Sequence, residues 1–145
     1  KEPMLEQPKT VPIGVAQIVR EGRDVTVVSY GAMVKKVLQA ADTLAAQGVS
    51  VEVIDLRSIQ PWDTDTVTQS LCKTHRLLIA HEAVEAFGVG AEVAAKIGEI
   101  GFDELDAPIM RVGASFVPVP FAPSLEKQHQ PDVKKISEAV SKLLT

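Results

Sequence analysis

The chain has 145 residues, a formal charge of -4 and a pI near 5.4, a length that suits one domain with its own core and a charge that argues against an electrostatic grip on nucleic acid, which needs clustered Lys and Arg. Its single cysteine, Cys72, cannot form an internal disulfide, which fits a reducing compartment. No apolar run approaches the ~20 residues of a membrane span, and nothing resembles a signal peptide.

Residues 1–12 are polar and punctuated by Pro3, Pro8 and Pro12, and the first residue is Lys1. This reads as the remnant of a linker, so that 13–145 is the domain and the natural protein is longer. Residues 13–19 predict a short strand, turned at Gly22 and Asp24 into an antiparallel edge. VTVVSY at 25–30 is a second strand, and Gly31 allows the tight turn into a helix. From 32 to 47 the apolar positions Met33, Val34, Val37, Leu38, Ala41, Leu44 and Ala45 recur at helical spacing, and Gly48 closes the helix.

The stretch VSVEVIDLRSIQPWD at 49–63 predicts the central strand, running into a polar loop. Its β-branched, nearly continuous apolar run is that of a parallel strand covered on both faces. With the strand before it, it completes a right-handed βαβ unit. Asp55, Arg57 and Ser58 then bring polar groups to the carboxyl end of the strand, and Asp63 is placed to cap the next helix, 63–74. In that helix Val67, Leu71 and Cys72 read as the packing face, with Trp62 at its entry. RLLIA at 76–80 is a buried strand that delivers His81 and Glu82 to the same rim as Asp55 and Arg57. After the FGVG turn, Val89, Val93, Ala94, Ile97 and Ile100 mark a helix, and 107–112 is the last strand. The Pro-rich GASFVPVPFAP at 113–123 reads as an ordered surface loop, and Pro131 opens a terminal helix in which Glu138 and Lys142 can pair.

Three groupings could carry chemistry. His81, Glu82 and Glu85 could act as acid, base or metal ligands, but the zinc-protease pattern needs a second histidine where Glu85 stands. Phe87-Gly88-Val89-Gly90 has dinucleotide-like glycine spacing, yet Val93 occupies the third glycine position, so a tight turn with close helix packing accounts for it better. Asp55 and Arg57 could clamp a carboxylate or phosphate, but Glu82 offers an internal partner. Asp55, Arg57, His81 and Glu82 are therefore read as a rim ion-pair network rather than a substrate site. No nucleophile with an adjacent base and no phosphate-binding loop emerges.

Seven blocks, VTVVSYG, VSVEVIDLRSIQPWD, RLLIAHEA, FGVGAEVAAKI, FDELDAP, VPVPFAPSLEK and PDVKKISEAV, occur in order. Together they resemble the C-terminal domain of the β subunit of thiamine-dependent 2-oxo acid dehydrogenases, the E1 components acting on pyruvate, branched-chain 2-oxo acids or acetoin. The resemblance implies a three-layer α/β/α fold, a five-stranded mostly parallel sheet with one antiparallel edge strand, like the C-terminal domain of transketolase. It implies no catalytic, cofactor or metal residues in this part: thiamine diphosphate and magnesium are held by the E1 α subunit and the β subunit's other domain. It implies partners, namely the α subunit, a second β subunit in an α2β2-type assembly, and the subunit-binding domain of the E2 acyltransferase. By position, Asp106 and the terminal Thr145 match residues that contact the acyltransferase. It also implies a bacterial cytoplasmic, mitochondrial or plastid setting. Phe116 and Val117 depart from the Asp-Thr usual before the PVP run, and Gln128, His129 and Gln130 replace an aromatic-rich stretch. The alternatives are the equivalent domain of a transketolase or deoxyxylulose-phosphate synthase, or a free-standing Rossmann-like binder of a phosphorylated ligand using Gly31, Gly88 and Arg57.

Overall fold

A computed structural model describes residues 10–145. The first nine residues of the expected linker lie outside the described residues. Five strands, β1 (Gln17–Arg20), β2 (Val25–Ser29), β3 (Val51–Asp55), β4 (Leu77–Val84) and β5 (Met110–Ala114), form one sheet in the order β1-β3-β2-β4-β5. β1 runs antiparallel to β3, and every other pair is parallel. The antiparallel edge expected from the sequence is therefore present, but β1 pairs with β3 rather than with its chain neighbour. That arrangement moves the centre of the sheet to β2, all five residues of which are buried; the 49–63 stretch supplies its neighbour, not the central strand.

Alternation along the strands sorts side chains onto two cores. Val25, Val27, Val51, Val53, Leu78 and Ala80 face α1 (Met33–Ala45) and α5 (Val133–Leu143). Val28, Ile54, Leu77 and Ile79 face α2 (Thr64–Thr74) and α3 (Val89–Ile100). Each buried Leu or Ile of these layers contributes roughly 1.5–3 kcal/mol relative to exposure.

Helix ends follow local chemistry. Asp63 caps α2, its carboxylate accepting from Thr66 N at 3.0 Å. Its other oxygen accepts from Ala16 N at 2.9 Å, so the same side chain anchors the segment entering β1. Burial raises the Asp63 carboxyl, but these N–H donors and the Thr66 hydroxyl outweigh it and hold it below its ordinary value. Asp132 caps α5 through Lys135 N at 2.8 Å, which leaves Pro131 one position outside the helix rather than in its first turn. On α5 Glu138 faces Lys134 at 3.8 Å, not Lys142. Cys72 is exposed rather than part of the packing face; the buried positions of α2 are Val67, Ser70, Leu71 and Thr74.

The 113–123 segment is only partly loop. β5 runs on to Ala114, and a short helix α4 (Pro123–His129) begins where the loop was expected to end. None of the residues of α4 is buried, so it carries no apolar stripe by which the sequence could announce it.

Candidate functional site: two rims of one sheet

At the carboxyl rim, β4 continues four residues beyond the expected strand, and His81 lies within it, fully buried. Its Nδ1 lies 3.0 Å from the Ala83 carbonyl oxygen and its Nε2 accepts from Gly90 N at 3.1 Å. A carbonyl only accepts and a backbone N–H only donates, so the ring is the neutral Nδ1–H tautomer. Burial depresses the imidazole below its ordinary value; the Ala83 carbonyl opposes this, Arg111 adds to it and Glu85 opposes it. The Tyr30 ring stacks on the imidazole, centroids 6.2 Å apart. Burial and the nearby Glu82 charge raise the Tyr30 hydroxyl.

The glycines of the FGVG turn are explained by this contact. A Cβ on Gly90 would lie 2.4 Å from His81 Nε2, and one on Gly88 2.1 Å from the Val84 carbonyl oxygen. Only bare backbone fits between β4 and the start of α3, as the close-packing reading of this spacing expects.

Arg57 and Asp55 sit farther along the same rim but point elsewhere. The Arg57 guanidinium bonds the Gln17 side chain on β1, and its N–H donates to Asp55 Oδ1 at 3.1 Å. Arg57 holds φ at +60°, so the loop turns sharply there. Among the described residues no hydrogen bond or ion pair joins Asp55 or Arg57 to His81 or Glu82. The rim thus holds two separate groups, with β2 between them.

Beyond His81 the rim turns apolar. Phe87, at φ +60°, is 92% exposed and packs edge-on to Phe116, centroids 6.0 Å apart. Val84, Phe116, Val117 and Pro118 line a hollow of about 210 Å³. Farther along the same segment Val119 and Phe121 are also exposed, Phe121 being fully open to solvent.

The amino rim is built from charge instead. Glu52, fully buried near the start of β3, meets the Lys73 ammonium and accepts from Gly22 N at 3.2 Å. Lys73 also reaches Glu21 at 3.1 Å. Burial raises the Glu52 carboxyl, but Lys73, Ser70 and Gly22 together bring it below its ordinary value. A Cβ on Gly22 would fall 2.0 Å from Glu52 N, so glycine is needed where the turn crosses β3. Sequence reading missed Glu52, because a charged residue in an apolar strand shows no partner until Lys73, 21 residues on, folds over it.

Asp106 lies at this rim, away from His81. Its N–H donates to the His75 carbonyl at 2.9 Å, and its carboxylate stands 3.7 Å from Arg76 Nη1. The same Arg76 donates from Nε to the Leu143 carbonyl at 2.8 Å. Asp106 and the chain end, where Thr145 is exposed, are therefore linked through one guanidinium. Phe102, Leu105, Asp106, Ala107 and Pro108 line a shallow depression there, with Phe102 exposed.

Thiamine diphosphate with magnesium needs a cluster of oxygen donors for the metal and its diphosphate. Among the described residues no three His, Cys, Asp or Glu side chains gather as such a set, and the one deeply buried carboxylate is already held by Lys73. The groups at neither rim fit that cofactor.

Three layers around a mixed five-stranded sheet with one antiparallel edge strand define a transketolase C-terminal-like α/β domain. A solved split-gene transketolase, described as an inactive β4 tetramer, superposes with a TM-score of 0.83 at 28% identity over 98% of this chain and 46% of that one. A 2-oxoglutarate:ferredoxin oxidoreductase from Magnetococcus marinus shares the fold at a TM-score of 0.60 and 11% identity over 90% of this chain and 19% of that one.

Residues 14–136 match the family described as Transketolase, C-terminal domain, and the chain belongs to it. It is 43% identical over 96% of its length to the pyruvate dehydrogenase E1 component subunit beta-2 of Oryza sativa, 37% of which it covers. It is 46% identical over 92% of its length to the corresponding subunit of Rickettsia felis, covering 41% of it. The beta subunit of the acetoin:2,6-dichlorophenolindophenol oxidoreductase of Bacillus subtilis is 44% identical over 93% of this chain, which covers 40% of that subunit. The chain thus spans about two-fifths of the curated relatives it matches and corresponds to their C-terminal regions. Among the described residues no helix is long and apolar enough to cross a membrane.

Proposed function

We propose that this domain is the non-catalytic assembly and docking part of an E1 β subunit, in an enzyme that decarboxylates a 2-oxo acid or cleaves acetoin with thiamine diphosphate. Cofactor and magnesium are held elsewhere, by the α subunit and the rest of the β subunit. One observation carries the reading: Phe87, Phe116 and Val117 stand exposed together at the carboxyl rim, and Val119 and Phe121 of the same segment are exposed as well, more apolar surface than an unpartnered face ordinarily shows. This face meets the α subunit or a second β subunit, and the β4 assembly of the split transketolase is in keeping with such a role. At the opposite rim Asp106, the Phe102–Pro108 depression and the end of α5 receive a basic module, the subunit-binding domain of the acyltransferase. Asp55, Arg57 and His81 hold chain segments in place, and neither they nor Glu82 transform a small molecule.

Sedimentation of the chain at rising concentration, alone and with an E1 α subunit or an acyltransferase subunit-binding domain, tests this. Association is expected, weakened about tenfold by Phe116→Ser at the first surface and by Asp106→Lys at the second. A strict monomer that binds neither protein overturns the reading, as does micromolar binding of thiamine diphosphate or a nucleotide by the isolated chain in calorimetry.

A further inference from the structure

His81 does something the assembly reading does not require. The N-cap position of α3, Gly88, has no side chain to satisfy the helix's first N–H groups, which an α-helix leaves without internal partners. His81 Nε2 reaches across from β4 and takes one of them, that of Gly90. A fully buried imidazole on one strand is thus the cap of a helix that begins eight residues later.

The contact tolerates one protonation state only. Nδ1 already carries its proton toward the Ala83 carbonyl, so an added proton must go to Nε2. There it would set N–H against the N–H of Gly90 at a separation of 3.1 Å, and place a positive charge at the positive end of the α3 dipole. Around the ring, β4 and its end supply Glu85, β5 supplies Arg111, and the end of β2 supplies Tyr30 with its raised hydroxyl. α3 meets the ring through Gly88 and Gly90, which carry no charge, and the one acid of its first turn, Glu92, makes no hydrogen bond to the imidazole. Arg111 donates to the Glu85 carbonyl at 2.9 Å. No carboxylate bonds the imidazole to shelter a cation.

The segment between strand and helix carries the consequence. Phe87 sits immediately before Gly88, held at φ +60° with its ring against Phe116. We propose that His81 is a proton-operated latch: neutral, it fastens the first turn of α3 and seats Phe87 beside Phe116, and on taking a proton it lets both go. Resting on the assembly reading above, the latch makes attachment of a partner at the Phe87–Phe116 face sensitive to acid.

Nuclear magnetic resonance of the 145-residue chain between about pH 8 and about pH 5 tests the latch without any partner. The Gly90 amide and the Phe87 ring are expected to move together as His81 titrates, with Gly90 exchange rising about tenfold beyond the change in base catalysis. In His81→Gln the amide oxygen accepts from Gly90 N–H at every pH, and that shared titration disappears. If His81 gains its proton while Gly90 and Phe87 stay in place, or if both still titrate in the glutamine variant, the latch is wrong. The wild-type titration decides the matter even if the variant does not fold. Sedimentation with an E1 α subunit at the two ends of the range separates the two readings. Moving Gly90 and Phe87 with no association at either pH supports the latch and removes the assembly reading. Association equal at both ends with Gly90 fixed does the reverse.

Discussion

The two rims of the sheet solve the problem of polar groups in opposite ways. At the amino rim, charges are consumed internally: Lys73 serves Glu52 and Glu21, and Arg76 serves Asp106 and the Leu143 carbonyl. At the carboxyl rim the one buried titratable ring is kept neutral by backbone partners, and the surface beyond it is left apolar and open. Where a fold spends its polar groups on itself it is stabilising the monomer. Where it leaves aromatic rings in water, the stabilisation comes from something else.

That contrast can be broken first at Glu52. Lys73→Met leaves a fully buried carboxylate with only the Gly22 N–H and the Ser70 hydroxyl to offset its charge. Removing one partner of a buried pair costs about 3–5 kcal/mol in general, less here because Lys73 reaches solvent; a loss of about 2–3 kcal/mol in urea unfolding at neutral pH is expected, largely relieved when Glu52→Gln is added. If the single variant is as stable as wild type, the amino rim is not held by its charges.

Gly90→Ala asks whether the carboxyl rim is equally intolerant inside. The new methyl would overlap His81 Nε2 and press on Ile79 at 3.2 Å, for an expected cost of about 2 kcal/mol from overpacking, read by thermal unfolding. Asp63→Ala removes the α2 cap and the Ala16 tether together and should cost about 1–2 kcal/mol. Phe121→Ser should change unfolding by less than about 0.5 kcal/mol, because the ring touches water on all sides, while weakening association. A large loss of monomer stability there would erase the distinction between the rims.

Acid should expose the same order. His81 has a lowered value in the fold, so the unfolded chain takes up the proton first and stability falls as pH drops below about 6.5, the unperturbed imidazole value. Glu52 and Asp63 are also lowered. Their contribution is present above the ordinary carboxylate range, about 3.9–4.3, and is lost as pH falls below it through their lowered folded values. Urea midpoints measured across pH should therefore decline in two stages, with His81→Gln removing the upper one.

Most of the architecture was legible because period and punctuation agree. The apolar run of β3, the stripe of α1 closed at Gly48 with φ +85°, and Asp63 before α2 each state one element with one mechanism. The order of strands was not legible to that degree. β1 is partly exposed and short, and its choice of β3 is fixed by long-range ties, Asp63 to Ala16 and Ser58 to Gly14, that no local pattern reveals. The rims were half legible. The sequence shows that His81 and Arg57 reach the same rim, but not that β2 separates them, nor the inward turn of His81 onto Gly90 or the outward reach of Arg57 to Gln17. α4 has no inner face and so left no periodic trace.

Arg76 gives the amino rim a property that none of its residues has singly. Its guanidinium divides its attention between the Asp106 carboxylate and the last turn of α5. A cationic visitor at Asp106 must outcompete a resident one, and the displaced arginine can then commit itself wholly to the terminal helix. The acid and the tail of the chain, some forty residues apart in sequence, thus share a single side chain.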